Sequence, residues 1–295
     1  MKIRFWGVRG SIPTPGPEMV RYGGNTTCIE IRTDENELII LDGGSGIYPL
    51  SRVLMDEMPL DAHIFISHTH WDHIHGLPFF TPLFIPDNRI NIYGGYDLIT
   101  QKGIEHAVST QFQYSYFPIR EAELKARIHY FTLAAGETVR VGETNVTPFL
   151  MNHPVLDFGY RVDCRGKSVF FTGDHEPYWN IYEPHEKQYA EYESLIRRQE
   201  QAVIEGMSDV ELLIADSSYT NEEYPAKKGW GHGTFDSSIR MAELAKVRQL
   251  VFTHYEPTRT DRDLDLIRAE LIERYPRASR NFDFHFASEG RIFEL

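Results

Sequence analysis

The chain has 295 residues, with 30 Lys and Arg against 43 Asp and Glu, a formal net charge of −13 when the histidines are neutral. Hydrophobic residues at 41% and charged residues at 25% are globular proportions and exclude disordered, collagenous and coiled-coil chains. The acidic balance disfavours an unaided grip on polyanions, so nucleic acid reads as an unlikely partner and a small molecule as the expected substrate.

Two cysteines, Cys28 and Cys164, cannot form a disulfide framework, and both sit in apolar strand-like runs. The N-terminus enters such a run at once and has no signal-peptide pattern, and no apolar stretch approaches the ~20 residues that cross a bilayer. The expected compartment is the cytoplasm, with no membrane contact.

Short β-branched or aromatic runs bounded by Gly, Asp and Pro read as strands at Ile3–Val8, Thr27–Ile31, Leu38–Leu41, Ala62–Ile66 and Ile90–Tyr93. A helix is expected from Asp97 to about Val108. Strands follow at Ile128–Phe131, Thr144–Leu150, Gly159–Val162, Ser168–Phe171, Leu212–Ala215, Leu250–Phe252, Phe282–Phe286 and Arg291–Glu294. Helices fall at Glu186–Glu205, Phe235–Ala245 and Leu264–Glu273, the last two by i, i+3, i+4 apolar spacing. Strands crowd each half, with helices between and after them, which points to an α+β fold of two packed mixed sheets flanked by helices. No linker divides the chain, so residues 1–295 read as one domain with an insertion around 175–208.

The chemistry concentrates in His68-Thr69-His70-Trp71-Asp72-His73-Ile74-His75, directly after an apolar strand. His68 and His70 fall on one side, and Asp72 and His73 can serve a neighbouring position, so two metal sites fit. His75 reads as an outlying neighbour. Further candidates stand singly at the ends of strand-like runs: His153, Asp174 and His254. Imidazole and carboxylate without thiolate suit zinc, while manganese or iron remain open because ligand type alone does not set the metal.

His68-Thr69-His70-Trp71-Asp72-His73, with His153, Asp174 and His254 in that order, resembles the metallo-β-lactamase-fold hydrolase superfamily. The resemblance runs from Phe5-Trp6-Gly7-Val8-Arg9-Gly10 through Leu41-Asp42-Gly43-Gly44 to His254 and implies an αββα sandwich with the site at one edge. It also implies that His68, His70 and His153 hold one Zn2+, that Asp72, His73 and His254 hold a second, and that Asp174 bridges them. Asp42 would brace the metal loop. The stretch Asp209–Asp216, then Gly231-His232-Gly233-Thr234 and a helix, is similar to the ribonuclease Z and cyclic-nucleotide phosphodiesterase branch, where a histidine matching His232 sits over the substrate.

The implied reaction is attack by a hydroxide bridging the metals, with Asp72 orienting it or taking its proton and His232 stabilising charge on the substrate oxygen. The leading substrate is a small phosphodiester such as a cyclic nucleotide. Another small electrophile, an ester, amide or nitrogen–carbon bond, comes second. A tRNA 3′-endonuclease ranks third, because the basic arm of ribonuclease Z is missing and Glu186–Glu205 is acidic. Phe117, Tyr178, Trp179, Tyr219 and Trp230 are candidate walls of a substrate pocket, and such aromatics could equally bury a homodimer interface.

Overall fold

The computed structural model describes residues 1–295. The first sheet contains β1 (Lys2–Gly7), β2 (Cys28–Arg32), β3 (Leu38–Leu41), β4 (Asp61–Phe65), β5 (Arg89–Gly94) and β6 (Arg127–Thr132). The second contains β7 (Val139–Val141), β8 (Thr144–Leu150), β9 (Phe158–Cys164), β10 (Lys167–Phe171), β11 (Leu212–Asp216), β12 (Gln249–Thr253) and β13 (Asp283–Phe286). The last strand, β14 (Ile292–Glu294), returns to pair antiparallel with β1.

Each sheet changes character along its width. β1, β2 and β3 run antiparallel and β3 to β6 run parallel; β7 to β10 run antiparallel and β10 to β13 run parallel. Parallel strands covered on both faces must be apolar throughout, which is why Leu38-Ile39-Ile40-Leu41 is an unbroken hydrophobic run. Ile39 and Leu41 enter the core between the sheets with Val162 and Phe170. Leu38 and Ile40 face the outer core with Ile47, Leu50 and Leu54 of α1 (Ile47–Leu54). The layers are therefore helix, sheet, sheet, helix, as the resemblance implied.

The remaining helices are α2 (Trp71–Ile74), α3 (Ile104–Gln111), α4 (Tyr189–Gly206), α5 (Phe235–Ala245) and α6 (Asp261–Arg274). Helix α5 starts sharply: the Thr234 hydroxyl accepts from Ser237 N at 3.0 Å and the Ser237 hydroxyl accepts from Thr234 N at 2.8 Å. Both cysteines are buried and free. No helix is long and apolar enough to cross a membrane.

The expected strands all form within a residue or two of their bounds, but four elements depart from the sequence reading. β7 has three residues, too few for a periodic signal, and α1 and α2 are one or two turns long. The helix expected from Asp97 begins only at Ile104. Asp97 turns the chain first, its carboxylate accepting from Ile99 N at 2.8 Å and from the Thr100 hydroxyl at 2.6 Å.

Candidate metal centre

The C-terminal ends of parallel strands from both sheets meet at one edge, and the sequence-predicted residues stand there. His68 and His70 follow β4, with His70 capping α2, whose single turn carries Asp72 and His73. His153, Asp174 and His254 follow β8, β10 and β12. Asp42 and His254 each leave their strand in the left-handed region, at φ 63° and 60°, which turns the chain abruptly and aims the side chain across the edge.

Three groups of four donors result, one of them Asp174, Asp216, His232 and His254, and the other two made of the sequence-predicted ligands. His68, His70, His153 and Asp174 offer donor atoms within 4.8 Å of one another, as do Asp72, His73, Asp174 and His254. Asp174 belongs to both through different oxygens. Its Oδ2 lies 3.5 Å from His68 Nε2 and 3.9 Å from His153 Nε2, while Oδ1 lies 3.4 Å from His73 Nε2 and 3.1 Å from His254 Nε2. Asp72 Oδ2 completes the second group at 3.3 Å from His73 Nε2 and 3.2 Å from His254 Nε2.

This arrangement fits two metal ions. The ring nitrogens of His73 and His254 face each other at 3.2 Å, and those of His153 and His70 at 3.1 Å. Two donors about 2.1 Å from one tetrahedral ion stand about 3.4 Å apart, so these short approaches are near coordination spacing. His68 Nε2 and Asp174 Oδ1 are buried without a hydrogen-bond partner, which costs free energy unless something else satisfies them. Burial lowers the pKa of His68, His70 and His153, leaving their lone pairs available to a cation.

The far ring nitrogens are anchored. Asp42 Oδ2 lies 2.7 Å from His73 Nδ1, and its carboxylate accepts from Ser67 N and Oγ at 2.7 and 2.9 Å. His153 Nδ1 donates to Gly231 O at 2.9 Å. Gly231 sits at φ 91°, and a Cβ there would fall 2.3 Å from His153 Nδ1, so only glycine permits this approach. Ser11 N donates to Asp72 Oδ2 at 2.7 Å and sets that carboxylate.

His232 does not cap α5, since Thr234 does. Its ring stacks on His254 with centroids 5.0 Å apart, and its Nδ1 lies 3.0 Å from Asp216 Oδ2 and 3.7 Å from Asp174 Oδ2. Burial opposes a charge on this ring, but Asp216 and Asp174 outweigh it and push His232 up to about 9. His75 joins neither group.

Three residues to which the sequence assigned no role support this edge. Asp216 holds His232 and, through the Ser218 hydroxyl at 2.8 Å, the Nδ1 side of His254. Asp157 lies 3.1 Å from His68 Nδ1 and accepts from Asp174 N at 3.0 Å. Glu176 accepts from Gly229 N, Gly231 N and the Tyr224 hydroxyl at 2.7, 3.0 and 2.8 Å. Asp216 ends an apolar strand much as Asp42 follows one, a signal that was readable; Asp157 and Glu176 carry none.

Of the aromatic candidates, only Tyr219 touches the edge, its ring 6.0 Å from that of His232. Trp230 is exposed on the same loop, under Lys227 at 4.1 Å, and Trp179 lies under Lys228 at 4.1 Å. The structure places Phe117 elsewhere, against Phe79 and Phe112, and Tyr178 in a groove between α4 and α5.

A family model described as a β-lactamase superfamily domain matches residues 39–255, a span that includes every residue of both groups. The chain belongs to this superfamily. It is a metallo-β-lactamase-fold hydrolase. A curated relative, ribonuclease Z of Staphylococcus carnosus, is 22% identical over the whole of both chains. The metallo-β-lactamase fold protein YhfI from Bacillus subtilis matches with a TM-score of 0.68 at 17% identity, over 100% of this chain and 98% of that one. Human tRNase Z, short form, matches at 0.64 and 18%, over 100% and 99%.

The superfamily relatives correct one expectation. Nucleic acid reads as an unlikely partner from the charge balance, yet a relative aligned from end to end is a named ribonuclease. Net charge sums the whole surface, whereas a substrate meets the local field. Lys227 and Lys228 stand on the loop that carries His232, so the site's surroundings are not uniformly acidic.

Proposed function

We propose that this hydrolase cleaves phosphodiesters, RNA phosphodiesters among them, with zinc as its metal. The observation that carries the reading is Asp174, whose two oxygens face two separate imidazole-rich groups while His232 stands beside both. Divalent ions held there by His68, His70 and His153, by Asp72, His73 and His254, and by Asp174 between them would acidify water and polarise a phosphoryl oxygen.

The protein's own groups supply the rest. Asp72, fixed by Ser11 N, presents a carboxylate that orients or accepts a proton at the second group. Asp216 accepts the Nδ1 proton of His232 in a hydrogen bond, and in the imidazolium form the Nε2–H is left to donate to a charged oxygen. His232 is 14% exposed, enough to meet a substrate while staying largely out of water, where its charge counts for more. Ribonuclease Z as a relative along the whole chain supports RNA within the substrate class.

The test is hydrolysis by zinc-loaded protein of bis(4-nitrophenyl) phosphate and of a precursor tRNA with a 3′ extension. Turnover of either supports the reading. No turnover of any phosphodiester, together with turnover of an ester or amide, would overturn it.

A further inference from the structure

Beside His68, a crevice of about 150 Å³ opens between the chain after β5 and the chain after His153. Its walls include His68, Tyr96, Ile99, Ala107 and Leu156, with Lys102 at the side. The size decides what can enter: an apolar cavity of about 150 Å³ in another protein takes one benzene ring. The mouth is open, since Ile99 is 87% and Tyr96 40% exposed, and His68 belongs both to the wall and to the first metal group, so a ring seated here would lie next to that group.

The crevice is held in shape without a ligand. Asp97 ties down Ile99 and Thr100 through its carboxylate, and Asp97 N donates to Lys102 O at 2.8 Å. The only side-chain partner of the Lys102 ammonium is His106 Nε2 at 3.5 Å. Lys102 is exposed and has no carboxylate partner, so beside this largely apolar, ring-sized slot its ammonium can exchange water for a ring carbonyl or a phosphate oxygen. A nucleotide offers both parts, a flat base with polar atoms at its edge and, through its sugar, a phosphate.

We propose that this crevice is a base-binding subsite, in which the nucleobase of the nucleoside esterified to the scissile phosphate lies against Tyr96 and Leu156 with Lys102 at its polar edge. The proposal rests on the phosphodiesterase reading and names the substrate's recognised part. Its strength follows from base–aromatic stacking, which makes about a tenfold difference or more per base.

Two substrates begin to separate the subsite from the chemistry, because thymidine 5′-(4-nitrophenyl) phosphate and methyl 4-nitrophenyl phosphate share a leaving group and differ in the nucleoside, whose base the crevice variants then test. The zinc-loaded protein should prefer the thymidine ester about tenfold or more in kcat/KM, chiefly through KM. Ala107→Phe, which fills the slot from a partly exposed helix position, should collapse that preference. Tyr96→Ala, which removes an exposed side chain, should reduce it in a fold that keeps its core. Tyr116→Ala, on a different surface, should leave the preference unchanged.

Calorimetric binding of thymidine 5′-monophosphate gives a readout without turnover and should weaken about tenfold in both crevice variants. If no phosphodiester turns over but this binding remains sensitive to Ala107→Phe, the subsite stands and the reaction assignment falls. An unchanged preference and unchanged nucleotide binding in both variants would overturn the subsite.

Discussion

Replacing Glu176 by alanine removes one buried carboxylate and three hydrogen bonds at once. Glu176 is 4% exposed, and its acceptors serve Gly229 N, Gly231 N and the Tyr224 hydroxyl. Hydrogen bonds to a charged acceptor contribute about 1.5–3 kcal/mol each, and the Tyr224 hydroxyl, only partly buried, can turn to water. With some relaxation of the glycine-rich loop, the two backbone donors set the loss at about 2–4 kcal/mol. For a chain of this length that is a fall of roughly 3–6 °C in Tm.

The same change reaches the metal groups, because Gly231 O fixes the tautomer of His153 by accepting its Nδ1 proton. Loss of such an anchor typically costs about 10–100-fold in metal affinity. Differential scanning calorimetry and zinc competition against a chromophoric chelator would measure the two effects. Glu176→Gln, which keeps one acceptor, should fall between wild type and alanine in both. A Glu176→Ala protein that melts within about 1 °C of wild type and binds zinc equally well would refute the reasoning.

Elemental analysis of metal-supplemented protein should find two ions per chain, and chelation should lower Tm, since a ligand that binds only the folded state stabilises it. Asp174→Ala should lower activity by orders of magnitude while circular dichroism stays native, because Asp174 sits at the sheet edge rather than between the sheets; near wild-type rates would exclude it as the shared carboxylate. His232→Ala should keep both metals and lose about 10²–10⁴ in kcat. Asp216→Asn combined with it should add little on this path, and full additivity in the double-mutant cycle would show that Asp216 acts separately from His232.

Much of this edge was legible because metal ligation imposes a local spacing. His68, His70, Asp72 and His73 lie within six residues, and an imidazole or carboxylate just beyond an apolar strand has few reasons to be there. The strands were readable for a related reason, since burial on both faces forces continuous apolar runs such as Leu250-Val251-Phe252. Glu176 and Asp157 were hidden because their partners are mainly backbone amides and a distant imidazole, and a hydrogen bond to Gly231 N leaves no mark on the sequence around Glu176. The aromatic residues could not be told apart for the opposite reason: Phe117, Tyr178 and Tyr219 look alike in sequence, but the folded chain carries them to three different places, and only Tyr219 to this edge.

Each metal group draws on both sheets: His68, His70, Asp72 and His73 come from the first, and His153, Asp174 and His254 from the second. During synthesis, six strands of the first sheet have emerged by residue 132, yet that segment holds only half of either ligand set. Neither group is complete until the second sheet docks, and the second group waits for His254, beyond which α6 and two short strands remain. Metal capture at these groups would therefore come late in the chain's assembly, and an ion held there would act as a clasp between two halves otherwise joined chiefly by apolar packing. Mutations far from the edge that loosen the sheet–sheet core should then surface first as metal loss, before any change in secondary structure.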